Sequence, residues 1–366
     1  MKKILFKIVS VVLAASLILS LSVCAFAKDE QLVYTGIGDS NAVGYGTSAY
    51  VGDDSPCPTC YVDIVGELLG AKTNRYGFSA TRLEELISLL DPSYTNENML
   101  KYSYCARQSE GDLLNPEVLY ARREGLIKAV KEADIITINS GASNFVNTLR
   151  TLYVYDSMPE EYWTSTKYPS FDIPENNAFA PVSALGQPSE NFVEQLKKMV
   201  DVLKFFADFV PYILKMTPQI YKEFATNWDV LYEKVRELNP DALIVVLSVN
   251  NPMNATTFNK DDKAPIGMLF DPFYEIFNVY IKYLSKYKDE YLFVDNTDIQ
   301  LGDDGLHFTE PTFKPHYYAV VHADDAESKI MAQRIYDTIT AYNNGTYKLP
   351  TAPKGIERWA KIFGIK

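Results

Sequence analysis

Two features of the sequence predict an α/β domain built on a mostly parallel sheet. Short apolar runs of strand length recur along the chain, and helical patterns with one apolar face alternate with them. The residue balance, 47% hydrophobic and 22% charged over 366 residues, supplies enough apolar surface to cover both faces of such a sheet.

Taken in order, the elements begin after a leader. Met1-Lys2-Lys3, the apolar run from Val9 to Val23 and 25-AFA-27 predict a secretory signal cleaved after Ala27, hence an extracellular protein starting near Lys28. A lipid anchor on Cys24 would need a small residue before it, and Val23 stands there. No later stretch is long and apolar enough to span a bilayer. Strands are expected at 32-LVYTGI-37, 71-AKTNRYG-77, 134-DIITIN-139, 242-ALIVVLSV-249 and 291-YLFVD-295. Tyr61, Ile64, Val65, Leu68 and Leu69 keep one helix face apolar, as do Leu83, Leu86, Ile87 and Leu90, and residues 118–130 follow the same period.

The segment 150–190, rich in Tyr, Pro and Ser, has neither period and reads as the start of an insertion reaching about residue 225. Residues 191–221 return to helical spacing, with Pro211 expected to kink or divide the helix before 228-WDVLYEKVRELNP-240. That segment is either a core helix or a lid offering Phe205, Phe206, Phe209 and Tyr212 to an apolar substrate. One domain over 28–343 with this insertion, followed by a tail over 344–366, is the expected organisation.

A formal net charge of -12 disfavours nucleic acid as a partner, because it repels a phosphate backbone. Cys57 and Cys60 in 56-PCPTC-60 are close enough to form a small disulfide or to stay as free thiols, with Cys105 left over. A zinc site there lacks ligands, the first histidine of the chain being His307. No metal or organic cofactor is implied.

The chemistry concentrates in 34-YTGIGDSNAVGYGTS-48, where Ser40 follows the first strand. In an open parallel sheet reactive groups gather at the carboxyl ends of the strands. Gly38 allows a tight turn, Gly44 and Gly46 allow close packing, and the N–H groups of the following helix start point at an oxyanion position. The spacing fits neither a Walker loop nor a dinucleotide fingerprint.

The block 38-GDSNAVGYG-46 resembles the first block of the GDSL, or SGNH, family of secreted lipases and esterases. The resemblance continues through 74-NRYGFSATRLEELISLL-90, 133-ADIITINSGASNF-145, 235-VRELNPDALIVVLSVNNP-252 and 322-HADDAESKIMAQRI-335. It implies a flavodoxin-like three-layer α/β/α sandwich and a serine nucleophile at Ser40, with its histidine just before the last helix. The family's second block, Ser-Gly, becomes Ser79-Ala80, so Ala80 would donate its N–H to the oxyanion if its backbone is ordinary, with Gly77 a weaker candidate. The third block, Gly-x-Asn-Asp, becomes 141-GASN-144. Either the Ser143 hydroxyl or, after a shift of one residue, the Asn144 amide would complete the oxyanion hole.

Two of the three histidines fit the base. Asp304 stands three residues before His307, the family's Asp-x-x-His pattern, in which the carboxylate orients the imidazole. His322 lacks such an acid but leads into the final helix with the family's spacing, with Asp324 as its cap and Met331, Ala332 and Ile335 as its buried face; Asp304 could orient this histidine too. His316 reads as an ordinary loop residue. The expected function is therefore a secreted serine ester hydrolase acting on lipid, short-chain or carbohydrate O-acyl esters. The alternative is a catalytically impaired protein of the same fold that binds surface carbohydrate or lipid.

Overall fold

The computed structural model describes residues 31–94, 120–145, 148, 191–257, 266–301 and 322–364. The 150–190 segment, Cys105, and Asp304, His307 and His316 lie outside them.

Among these residues the chain runs β1 (Val33–Gly38), α1 (Ser40–Val43), α2 (Tyr61–Leu69), β2 (Lys72–Gly77), α3 (Leu83–Leu90), α4 (Arg123–Glu132), β3 (Ile135–Asn139), α5 (Phe192–Leu238), β4 (Leu243–Leu247), α6 (Asp271–Val279), β5 (Leu292–Val294), α7 (Asp325–Asn343) and α8 (Glu357–Ala360). All five strands pair in parallel in the order β2-β1-β3-β4-β5, with Tyr34 opposite both Thr73 and Ile135. This is the flavodoxin-like order, in which the chain steps from β1 to one side and then crosses to the other. The switch point therefore falls between β1 and β3, where Ser40 follows β1.

Strand pleating sends alternate residues to opposite faces, and both faces are covered. On one face Ile136, Ile138, Ile244, Val246 and Phe293 pack with Leu86, Leu126, Phe224 and Trp228 of α3, α4 and α5. On the other, Ile135, Val245, Leu247, Leu292 and Val294 pack with Val62 and Val65 of α2 and Met331, Ala332 and Ile335 of α7. The result is a three-layer α/β/α sandwich. After α7 the chain returns to the first of these layers, and Phe363 is buried against the rings of Tyr280 and Tyr221, at 4.8 and 6.0 Å between centroids.

One expectation is corrected. Pro211 does not divide the helix after the insertion; α5 is continuous over 47 residues with Pro211 and Pro218 inside it. A proline removes the N–H that would bond the carbonyl four residues earlier. Here those carbonyls belong to Ala207 and Leu214, whose side chains are exposed, so water can replace the lost donors. Of the two alternatives for this segment, the core helix agrees with Phe205, which is buried and stacked on Phe209 at 5.1 Å. The side chain of Phe206 is outside the described residues. No described helix is long and apolar enough to cross a membrane.

Candidate active site

The backbone after β1 leaves no alternative to glycine at position 38. Gly38 has φ +152°, and a Cβ there would sit 1.9 Å from the Asn139 carbonyl oxygen on β3. This lets Asp39 N–H donate to that carbonyl at 2.9 Å and start α1 without a gap from the sheet. Asp39 is the N-cap of α1, its carboxylate accepting from Asn41 N–H at 3.2 Å. Burial pushes its carboxyl up to about 7, the Asn41 N–H acting in the other direction. Ser40 is thereby the first residue of α1, where N–H groups have no partner within the helix.

Gly44 closes α1 in the left-handed conformation at φ +82°, and a Cβ on it would lie 2.7 Å from Cys57 Sγ and Cys60 Cβ. The two cysteines are buried free thiols that support the serine turn from below. Cys60 Sγ–H points at the Ala42 carbonyl at 3.5 Å, and burial pushes this thiol up to about 12.

His322 arrives from the other end of the sequence. Its Nε2 lies 2.7 Å from Ser40 Oγ, within reach for proton transfer. What holds it there is the start of α7: Asp324 accepts from Ala326 N–H and Glu327 N–H, and Glu327 accepts from Asp324 N–H, a complete capping box. The Asn41 side chain also accepts from Ala323 N–H at 3.4 Å. Asp304 and His307 lie outside the described residues.

The second block ends β2. Phe78 N–H donates to the Gly38 carbonyl at 3.0 Å, keeping the turn of Ser79 and Ala80 beside α1. The condition of an ordinary backbone at Ala80 is not met: its φ is +58°, the single positive value on a non-glycine among the described residues. The left-handed region disfavours a Cβ, which is the physical reason a glycine suits this position. Gly77, at the end of β2, packs directly against the α1 backbone, where a Cβ would meet Ala42 C at 2.7 Å.

Asn144 is turned away to other work. Its Oδ1 accepts from Leu83 N–H at 2.9 Å, capping α3 from the helical turn that follows β3, and its Nδ2 donates to Glu84 Oε2 at 2.9 Å. Ser143 is buried in the turn that follows β3, adjacent to β1 in the sheet.

Sequence reasoning missed the loop between α1 and α2. The Tyr45 ring lies 4.8 Å from the His322 ring and 4.9 Å from that of Tyr50. Tyr50 OH donates to Asp53 Oδ1 at 2.7 Å, and Asp53 in turn accepts from Ser79 N–H at 2.9 Å and Ser79 Oγ–H at 2.8 Å. Farther along, Ser48 N–H donates to Asp325 at 2.8 Å. One loop thus touches both the histidine segment and the Ser79-Ala80 turn. Its signal in the sequence was weak: two tyrosines and an aspartate among glycines.

No family model and no curated protein sequence matches the chain. Among solved structures it is similar to a lipase from a goat rumen metagenome, at 16% identity and a TM-score of 0.41, covering 87% of this chain and 100% of that one. It is also similar to a family two carbohydrate esterase from Clostridium thermocellum, at 15% identity and a TM-score of 0.36, covering 88% and 67%. A third similar structure is an acetyl xylan esterase from Butyrivibrio proteoclasticus, at 13% identity and a TM-score of 0.37, covering 88% and 66%.

Proposed function

We propose that the chain is a secreted serine ester hydrolase of the SGNH type, with Ser40 as nucleophile and His322 as base. The observation that carries this reading is the 2.7 Å approach of His322 Nε2 to Ser40 Oγ at the carboxyl edge of a parallel sheet. Ser40 Oγ attacks the ester carbonyl as its proton passes to Nε2. The alcohol then leaves with that proton, and a water molecule, deprotonated by the same nitrogen, releases the acid. The anion formed in each half is stabilised by the N–H group of Ser40 and by the Ser143 hydroxyl. Asn144 is assigned to structure because both ends of its amide are already bonded. The substrate class is an acyl ester of a lipid, a short-chain alcohol or a carbohydrate hydroxyl.

A fluorophosphonate probe tests the reading. The expected result is labelling of the wild type and none of Ser40→Ala; an unlabelled wild type would instead favour the binding-protein alternative. His322→Ala is expected to lower kcat for a nitrophenyl ester by about 10⁴ or more, and His307→Ala to leave it nearly unchanged. A comparable loss in His307→Ala would overturn the assignment of the base. Ser143→Ala is expected to cost ~10²–10³ in kcat, the usual loss for one oxyanion donor.

A further inference from the structure

The stretch 44-GYG-46 turns the backbone on both sides of one aromatic ring. Gly44 and Gly46 have φ +82° and +98°, values that a glycine adopts without strain, and Tyr45 stands between them. Tyr45 N–H donates to the Ser40 carbonyl at 3.0 Å, so the ring is carried on the end of the nucleophile's own helix. The Tyr45 ring lies against His322, at 4.8 Å between centroids and 54° between planes. Its other ring neighbour is Tyr50, at 4.9 Å, which packs on the α2–α7 core. Tyr45 itself is half-buried and belongs to neither apolar core.

We infer that Tyr45 is a positioning residue for the His322 base, a reading that rests on the serine-hydrolase function proposed for the same site. The capping box on Asp324 fixes the backbone from which His322 projects, but the outer torsion of a histidine is broad and a cap does not set it. A ring packed against the imidazole does, and it keeps Nε2 facing Ser40 Oγ at 2.7 Å. Two neighbours of Tyr45 grip the same segment. The Asn41 side chain accepts from Ala323 N–H at 3.4 Å, and Ser48 donates to both oxygens of Asp325, through its N–H at 2.8 Å and its Oγ–H at 2.5 Å. Asn41, Tyr45 and Ser48 thus hold Ala323, His322 and Asp325. The stretch that carries the nucleophile also carries the grip on its base, so their separation is set locally.

A ring that positions another must itself be fixed, and the loop around Tyr45 is fixed at several points. Thr47 Oγ–H donates to the Gly44 carbonyl at 2.8 Å, and the same oxygen lies 3.2 Å from Cys57 Sγ. Ala49 N–H donates to Thr59 Oγ at 3.2 Å. Tyr50, behind Tyr45, is tied through its hydroxyl to Asp53, whose carboxylate also receives the N–H and Oγ–H of Ser79 at the end of β2. The row Tyr50–Tyr45–His322 is therefore backed by the sheet. Precision of this kind matters because a general base must stay within about 3 Å of the proton it takes, and a misplacement of about 1 Å can cost on the order of 10² in rate.

Steady-state hydrolysis of a nitrophenyl ester by the chain from Lys28 onward tests the inference. Tyr45→Leu is expected to lower kcat about 30- to 100-fold with KM within about twofold of the wild type, and to slow fluorophosphonate labelling of Ser40 by a similar factor. Tyr45→Phe, which keeps the ring, is expected to recover kcat to within about threefold of the wild type. Tyr45→Met, a flexible apolar substitute, is expected to behave as Tyr45→Leu does, so that a folding defect in one variant does not decide the result. Ser48→Ala is expected to lower kcat about threefold by itself and no further in Tyr45→Leu, the non-additivity of two groups that hold one segment. Wild-type kcat in Tyr45→Leu, a raised KM with kcat preserved, or a Tyr45→Phe as impaired as Tyr45→Leu would each overturn the inference while leaving Ser40 and His322 in their roles. A wild type that neither hydrolyses the ester nor takes the label would instead remove the serine-hydrolase reading, and this one with it.

Discussion

Asp39 couples the serine turn to pH. Its carboxyl, buried beneath α1, is pushed up to about 7, well above the ~4 of an unfolded aspartate. Between those values the folded chain keeps a proton that the unfolded chain has released. Stability attributable to Asp39 is therefore greatest below about pH 4 and is lost as pH rises towards 7. Asparagine caps a helix as well as aspartate but does not titrate. The stability of the wild type relative to Asp39→Asn is thus expected to fall across this window, read as the difference in urea midpoint at each pH; parallel curves would contradict the raised value. Ala80 makes a second case at the same scale. In the left-handed region a Cβ costs roughly 1–2 kcal/mol, while glycine costs about 0.4–1 kcal/mol through the freer unfolded chain. Ala80→Gly is accordingly expected to match or slightly exceed wild-type stability in urea, and a loss of more than about 1 kcal/mol would show that the Ala80 methyl group packs usefully.

Among the elements, α3 depends on a residue outside itself. Asn144 caps it through Leu83 N–H and also satisfies Glu84, whose carboxyl burial raises and the Asn144 amide helps to lower. Asn144→Ala removes a cap and leaves a buried carboxylate short of a donor, an expected loss of about 2–3 kcal/mol. Ser143→Ala should cost less than about 1 kcal/mol in stability while taking the larger toll on kcat; a reversal of these two effects would exchange their roles. The sequence could place both residues in one block but could not divide the work between them, because that division depends on which one faces α3. The same limit explains α5. Pro211 is a sound local reason to end a helix, yet the freed carbonyls lie on the solvent side, and the packing of Phe224, Trp228 and Tyr232 farther along fixes the helix in the core. Conversely, β1, β3, β4 and β5 were legible because parallel strands covered on both faces read as largely apolar runs, whereas β2, the polar edge strand Lys72–Gly77, carries no such run.

For the molecule as a whole, what could be read in advance was the order of blocks along the sheet, and what could not was contact across long stretches of sequence. Ser40 was identifiable from its local glycines. The 2.7 Å approach of His322 to Ser40 spans 282 residues of chain, a contact without local signature, and the contact of Tyr45 with His322 has none either. The final segment belongs to the same class. Residues 344–366 show no strong period, yet Phe363 is 3% exposed, seated between the rings of Tyr221 on α5 and Tyr280 beyond α6. A large ring at such a position fastens the chain terminus across two elements of the α5 layer, on the side of the sheet away from α7. Phe363→Ala is therefore expected to destabilise the fold by about 3–4 kcal/mol, the usual cost of deleting a buried phenyl ring. Because the Ser40–His322 pair is organised from α1 and the cap of α7, its reactivity towards a fluorophosphonate should survive in the fraction that remains folded. Thermal unfolding and labelling measured together separate the two: a lowered Tm with unchanged labelling at 25 °C is expected, whereas an unchanged Tm would mean that the terminal segment rests on the core without holding it.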